Sequence, residues 1–211
     1  MCRSNIKIII TTSRNPSSSL LKFTKELKKI FPLSLRVNRG NKFLKSLISF
    51  CLTENATDLL LVYENRGNPS SLIISHLPSG PTIFFRLSNI ILNKIGKNDQ
   101  IPRNFPLIVI ENLSSPLGKR LSSVIRNLFP TPCINSKNVV IFSGKDNVIS
   151  CKNYWFERKG NLKSDIIIHQ KFPSFDMFPF KISLGILFEK KTEVEWSTNS
   201  FTNTFKKKSF F

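Results

Sequence analysis

Acidic side chains are scarce in this sequence: 13 Asp and Glu stand against 32 Lys and Arg in 211 residues, a formal charge of +19. So few carboxylates leave little material for general acid–base pairs or hard-cation cages. Glu193 and Glu195 fall on one face of an expected strand without an obvious partner, and read as a solvated face. Histidine is limited to His76 and His169, and Cys2, Cys51, Cys133 and Cys151 are scattered with no Cys-x-x-Cys pair. That spacing excludes a zinc site and a disulfide framework, and points to free, mostly buried thiols in a reducing compartment. Only 8 glycines occur, in neither Gly-x-Gly-x-x-Gly nor Gly-x-x-x-x-Gly-Lys-Ser/Thr order, so the usual nucleotide-phosphate cradles are absent. No apolar run approaches the roughly 18 residues that span a bilayer. The run Ile6–Thr12 contains Lys7 and precedes no small-residue cleavage site, which argues against a signal peptide and for cytosol or nucleus. No metal, cofactor, membrane or small-molecule substrate is expected, and nothing marks an enzyme.

What is abundant is positive charge, far beyond what solubility needs, and such an excess marks a polyanionic partner. The 19 phenylalanines, with much Ile, Lys, Asn and Ser, read as compositional drift in an AT-rich genome, so single lysines count for little. Organisation starts at Ile8–Pro32. The β-branched run Ile8–Thr12 predicts a buried strand, and Ser13 to Ser19, with Pro16, a capping loop. Leu20, Phe23, Leu27 and Ile30 then recur at helical spacing while Lys22, Lys25, Lys28 and Lys29 face away, until Pro32 stops the helix. The same unit returns at Leu107–Pro130, with apolar positions Leu117, Leu121, Val124, Ile125 and Leu128. Its terminal Phe129-Pro130 follows Phe31-Pro32 by 98 residues. Two related halves are the reading.

Between these units the pattern predicts an edge strand at 33–38, an Arg39-Gly40-Asn41 turn and a helix at 42–52. Strands follow at 58–64, 71–76 and 82–87, joined by an Asn65-Arg66-Gly67-Asn68-Pro69 turn and a rigid 77–81 turn. The second half adds strands at 138–142, 148–157, 166–170, 181–189 and 193–196. The expected fold is therefore α/β (α+β): two mixed or largely antiparallel sheets with packed helices, too few for a doubly wound domain. The divisions are 1–88 for the N-terminal half, 89–105 for a linker, 106–196 for the C-terminal half and 197–211 for a basic tail.

Arg14, Arg39 and Arg66 each sit in a loop beside Asn or Gly, where a guanidinium reaches a phosphate bidentately. Gly118-Lys119-Arg120 opens the second helix, either to hold one phosphate at its N-terminus or because a small residue allows close packing. Lys206, Lys207 and Lys208 form an electrostatic arm. Phe84, Phe85, Tyr154, Trp155 and Phe156 are candidate stacking faces, with core packing the commoner fate for at least half. His76 reads as structural or RNA-facing. A rival reading makes the domain a protein-docking platform that takes a partner's strand along Thr82–Leu87.

Ile10-Thr-Thr-Ser-Arg-Asn-Pro-Ser-Ser-Ser-Leu20, Arg36-Val-Asn-Arg-Gly-Asn41, Glu64-Asn-Arg-Gly-Asn-Pro69 and Ile74-Ser-His-Leu-Pro-Ser-Gly-Pro-Thr82 together resemble the Brix-domain family of ribosome-biogenesis proteins. Phe129-Pro-Thr-Pro132, Glu193-Val-Glu-Trp196 and Asn203–Lys208 fit the branch that works with U3 small nucleolar RNA. The resemblance implies two duplicated halves, each like the anticodon-binding domain of class II tRNA synthetases. Its motif residues are Ser13, Asn15, Pro16, Gly40, Gly67, Pro69, His76, Pro78, Gly80 and Pro81, with structural or RNA-facing roles. It further implies RNA binding without catalysis: U3 snoRNA and pre-rRNA as partners, in the small-subunit processome, with two U3-specific partner subunits. The implied outcome is U3–pre-rRNA pairing and 18S maturation; a scaffold role in a pre-ribosomal particle, large-subunit paralogues included, is the alternative. The implied place is the nucleolus, here of a reduced nucleus such as a nucleomorph. The family's charged helical segment ahead of the domain has no counterpart before the first strand here, so contacts through it are not expected of these residues.

Overall fold

A computed structural model describes residues 6–92, 105–132, 136–158, 166–187, 189 and 192–198. The expected opening unit is present: β1 (Ile8–Thr12) is buried at all five positions, and α1 (Ser18–Ile30) buries Leu20, Phe23, Thr24, Leu27 and Ile30. Ser17 caps α1, its hydroxyl accepting from the Leu20 amide. Beyond Pro32, β2 (Ser34–Arg36) lies parallel to β1, and α2 (Leu44–Thr53) buries Leu47, Ile48 and Cys51. β3 (Asp58–Asn65) runs parallel to β1 on its other side. β4 (Asn68–His76) and β5 (Thr82–Ile91) continue antiparallel. Residues 89–91, assigned to the linker by sequence, continue β5 instead.

The second unit repeats this plan. β6 (Leu107–Glu111) precedes α3 (Pro116–Asn127), whose cap Ser115 accepts from the Gly118 amide. Ser17 and Ser115, like Leu20 and Gly118, are 98 residues apart. β7 (Asn138–Lys145) pairs parallel with β6 as β3 does with β1, and β8 (Val148–Arg158) returns antiparallel. Both hairpins turn through two left-handed residues, Arg66 (φ 51°) with Gly67 (φ 78°), and Asp146 (φ 49°) with Asn147 (φ 66°). That is the twist-matched turn of tight hairpins.

Two strands predicted at 166–170 and 181–189 are one, β9 (Ile166–Ser183), followed by turns to β10 (Val194–Ser197). The prolines of β9 stand at irregularities: Pro179, opposite Phe85, adjoins the slip between Phe84 and Phe85 of β5, and Pro173 falls in the slip between Cys151 and Asn153 of β8, where a missing N–H costs no ladder bond.

The two half-sheets are not separate bodies. β5 pairs antiparallel with β9, so the order β2-β1-β3-β4-β5-β9-β8-β7-β6 is one continuous sheet, with β10 also on β9. Thr82–Leu87, expected as a free edge for a partner's strand, is therefore interior, flanked by β4 and β9. Its apolar residues, Ile83 and Phe85 at 0% exposure, belong to the core rather than to an interface.

α1 and α3 lie on one face of this sheet and share one core, which includes Phe23, Phe85, Phe142, Phe175 and Met177. Phe31 and Phe129, equivalent residues of the two halves, meet with ring centroids 5.1 Å apart. The strand order β1-β3-β4-β5 is mirrored by β6-β7-β8-β9 about the antiparallel β5–β9 pair, a pseudo-twofold relation, and the contact between these equivalent phenylalanines falls at its axis. α2 covers the other face of the N-terminal half through Ile9, Leu59, Leu61 and Ile73.

Candidate nucleic-acid interface

Strand direction fixes where the cationic loops lie. β1, β2 and β3 are mutually parallel, so the loops leaving their C-terminal ends emerge at one end of the sheet. Those loops carry Arg14, Arg39 and Arg66, the three arginines singled out by sequence. They are further tied together: Ser17 donates from its amide to the Glu64 carboxylate at 3.1 Å and from its hydroxyl to the Gly67 carbonyl at 3.0 Å, with a second hydroxyl contact to Glu64. The first loop and the hairpin turn thus form one unit.

Within it the three arginines differ. Arg66 is exposed at the hairpin tip. Arg14 is exposed and stacks on the Phe43 ring, 4.7 Å from its centroid; Phe43 itself is 70% exposed. Arg39, expected as an open loop residue, is only 6% exposed, its Nε donating to the Lys42 carbonyl at 3.3 Å. Arg14 and Arg39 line a cleft of about 960 Å³ between α2 and Ile186, Leu187 and Glu189, with Phe43, Ile48 and Tyr63 also on its walls. Two guanidinium groups beside an exposed aromatic ring suit a phosphate with a stacked base.

Lys119 and Arg120 do not join this cluster. Counting the antiparallel ladders from β3 through β4, β5, β9 and β8 to β7, β6 runs opposite to β1. The loop after β6 therefore opens in the opposite direction, on the far side of the sheet. There Arg120 is bound bidentately by Glu195, Nε to Oε1 at 2.9 Å and Nη2 to Oε2 at 3.1 Å. Glu195, read from sequence as unpartnered, thus has one. Lys119 is exposed and lines a shallow depression together with Ser122, Ser123 and Arg126. Lys206, Lys207 and Lys208 lie outside the described residues.

The α3 N-terminus resolves into close packing. Pro116 has no amide hydrogen, Gly118 donates to the Ser115 hydroxyl at 2.9 Å and Lys119 to the Ser115 carbonyl at 2.8 Å. A Cβ on Gly118 would stand 2.8 Å from the Leu113 carbonyl carbon. The amides a phosphate would need are largely taken.

The motif residues build turns. Ser13 donates its amide to the Val62 carbonyl at 2.9 Å, Asn15 is left-handed (φ 48°), and Pro16 leads into the Ser17 cap. Gly40 (φ 55°) turns the chain after β2, and Pro69 opposes Glu64 at a bulge in the β3–β4 ladder. Pro78, Gly80 and Pro81 form the β4–β5 turn, closed by the Gly80 amide on the His76 carbonyl at 3.0 Å. His76 is 3% exposed, its Nδ1 against the Asp58 carboxylate, which places it inside the fold rather than on its surface. Of the aromatics, Phe85 is fully buried, whereas Trp155 is half-buried with the Lys171 ammonium 4.6 Å from its ring. Cys51 and Cys151 are buried free thiols; burial pushes the Cys51 thiol up to about 11 and raises that of Cys151 further, leaving both inert. Among the described residues no group of His, Cys, Asp or Glu is placed to hold a metal ion.

These features agree with what comparison with known proteins returns. The sequence model of the Brix domain matches residues 13–195. A protein of Homo sapiens named U3 small nucleolar ribonucleoprotein protein IMP4 is 38% identical over 206 residues, covering 97% of this chain and 70% of its own length. A Brix domain-containing protein of Caenorhabditis elegans is 36% identical over 206 residues, with the same two coverages of 97% and 70%. The crystal structure of a probable ribosomal biogenesis protein from Aeropyrum pernix superposes with a TM-score of 0.59 at 19% identity, over 88% of this chain and 98% of that one, a likeness of fold. With its motifs, its duplicated sheet and these relatives in register over nearly all its length, the chain belongs to the Brix-domain family.

Proposed function

We propose that this protein is a non-catalytic RNA-binding factor of ribosome biogenesis, acting in the U3 small nucleolar ribonucleoprotein of the small-subunit processome. It assists pairing of U3 snoRNA with pre-rRNA during 18S maturation, in the nucleolus, beside two U3-specific partner subunits. The name carried by the human relative supports the particle. The observation that carries the RNA reading is the gathering of Arg14, Arg39 and Arg66 at one end of the sheet by three parallel strands, in a chain of charge +19. Arg14 and Arg66 take backbone phosphates, Arg39 holds the floor of the cleft, and Lys119 and Lys206–Lys208 add contacts outside that cluster, where Arg120 is held by Glu195.

Residue-level RNA–protein crosslinking in cells expressing a tagged full-length chain tests this. Crosslinks to U3 snoRNA and pre-rRNA at or beside Arg14 and Arg66 are expected. Recovery of the tagged chain in pre-ribosomal particles with no RNA crosslinked to it would overturn the RNA reading in favour of a protein scaffold.

A further inference from the structure

The contact between Phe31 and Phe129 places α1 and α3 symmetrically about the pseudo-twofold axis, on one face of the sheet. Their outward surfaces are cationic. Lys22, Lys25 and Lys28 of α1 are exposed, at three-residue steps that keep them within about 120° of the helix and about 9 Å along it. Lys119 and Arg126 of α3 are exposed too and stand seven residues apart, two turns on one line. Lys28 and Arg126 are themselves 98 residues apart, each three residues before its contacting phenylalanine.

The described acidic residues leave this surface open. Glu26 pairs with Lys29 and Glu195 with Arg120; none pairs with Lys22, Lys25, Lys28, Lys119 or Arg126. Placing basic groups in a helix's last turn also complements its dipole, which accounts for Lys28 and Arg126 but not for Lys22, Lys25 or Lys119. Of these cations only Lys28 and Arg126 occupy equivalent positions, but the two helices that carry them are related by a twofold axis, as are the strands of a duplex ligand. The antiparallel strands of a nucleic-acid duplex are related by local twofold axes normal to the duplex, and protein symmetry on duplexes follows them. Duplex RNA is held mainly through shape, phosphates and 2′-hydroxyls, for which lysine and arginine on a convex helical surface suffice.

We infer that the paired outer faces of α1 and α3 form a binding site for double-stranded RNA, one helix taking the phosphates of each strand. The site rests on the RNA-binding reading above but is distinct from the arginine cluster at the sheet end. It gives a protein that assists RNA–RNA pairing a surface for the paired product.

The test uses the full-length chain, an RNA duplex of about 16 base pairs, the span one double-stranded RNA-binding module covers, and its two separated strands. Affinities are measured across a salt series for wild type, Lys22→Ala/Lys25→Ala/Lys28→Ala, Lys119→Ala/Arg126→Ala and Arg66→Ala. Each phosphate contact contributes about 0.7–0.9 to the slope of log affinity against log salt. The triple variant is expected to lose about 2–3 of that slope on the duplex and the double variant about 1.5–2, with circular dichroism unchanged. Arg66→Ala is expected to weaken duplex and single strands alike. Equal duplex slopes in wild type and both helix variants, alongside retained RNA binding, overturn the helix-face site and leave the RNA-binding reading standing. Wild type that binds neither duplex nor strand defeats both.

Discussion

Gly118 stands where two influences on stability oppose each other. In an exposed helix, Gly→Ala gains about 1 kcal/mol from backbone entropy. Here the added methyl would meet the Leu113 backbone at 2.8–2.9 Å, atoms that cannot rotate away. Overpacking of this kind costs about 1–3 kcal/mol and more when the obstacle is main chain, so the clash wins. Gly118→Ala is expected to lower Tm by several degrees in a thermal melt; a rise would show that the β6–α3 loop yields. From sequence the two roles of this glycine were even, because close packing depends on where Leu113 lies. The same limit hid Arg39 and Arg120. Loop position was legible for both, but the turn that sets Arg39 on the Lys42 carbonyl has no signature in composition, and the carboxylate of Glu195 reaches Arg120 from 75 residues away only through the fold.

Among the elements, α1 was legible almost residue by residue, since capping and apolar period are local properties. Its tether was not. Ser17 contacts Glu64 from 47 residues away, setting a carboxylate at the positive end of the helix, where a loop-bound anion would otherwise go. Glu64→Ala is expected to cost about 1–2 kcal/mol, through the lost charge-assisted bonds and a loosened cap. A urea titration checks it, with exposed Glu111 at the end of β6 as the comparison: Glu111→Ala should stay within about 0.5 kcal/mol. Equal midpoints for the two variants would mean that the tether is incidental. β9 was legible only at its two ends, because slips of register against β5 and β8 carry the strand past Pro179 and Pro173, and no local pattern announces them.

At the level of the molecule, the repeat was legible as a spacing of 98 residues, and the halves it implied are there. The seam was not, since the pairing of Thr82 with Ser183 joins residues a hundred apart and no local pattern announces it. Because that seam makes one sheet, and α1 packs Phe23 on Phe175 of the other half at 5.4 Å, the halves should not melt separately. Calorimetry of the intact chain is expected to give one transition, with van't Hoff and calorimetric enthalpies in agreement. Two resolved transitions would show that the halves hold their structure independently.

The width of the sheet has a mechanical corollary. Seven strand-to-strand steps from β1 to β6, at about 4.8 Å each, put roughly 34 Å of hydrogen-bonded sheet between one end of that row, which leads to Arg14, and the other, which leads to Lys119. Bodies gripped at the two ends can neither slide together nor swing apart without tearing strands from the ladder. In a crowded assembly the protein then acts as a strut, a spacer of set length whose stiffness comes from its seam.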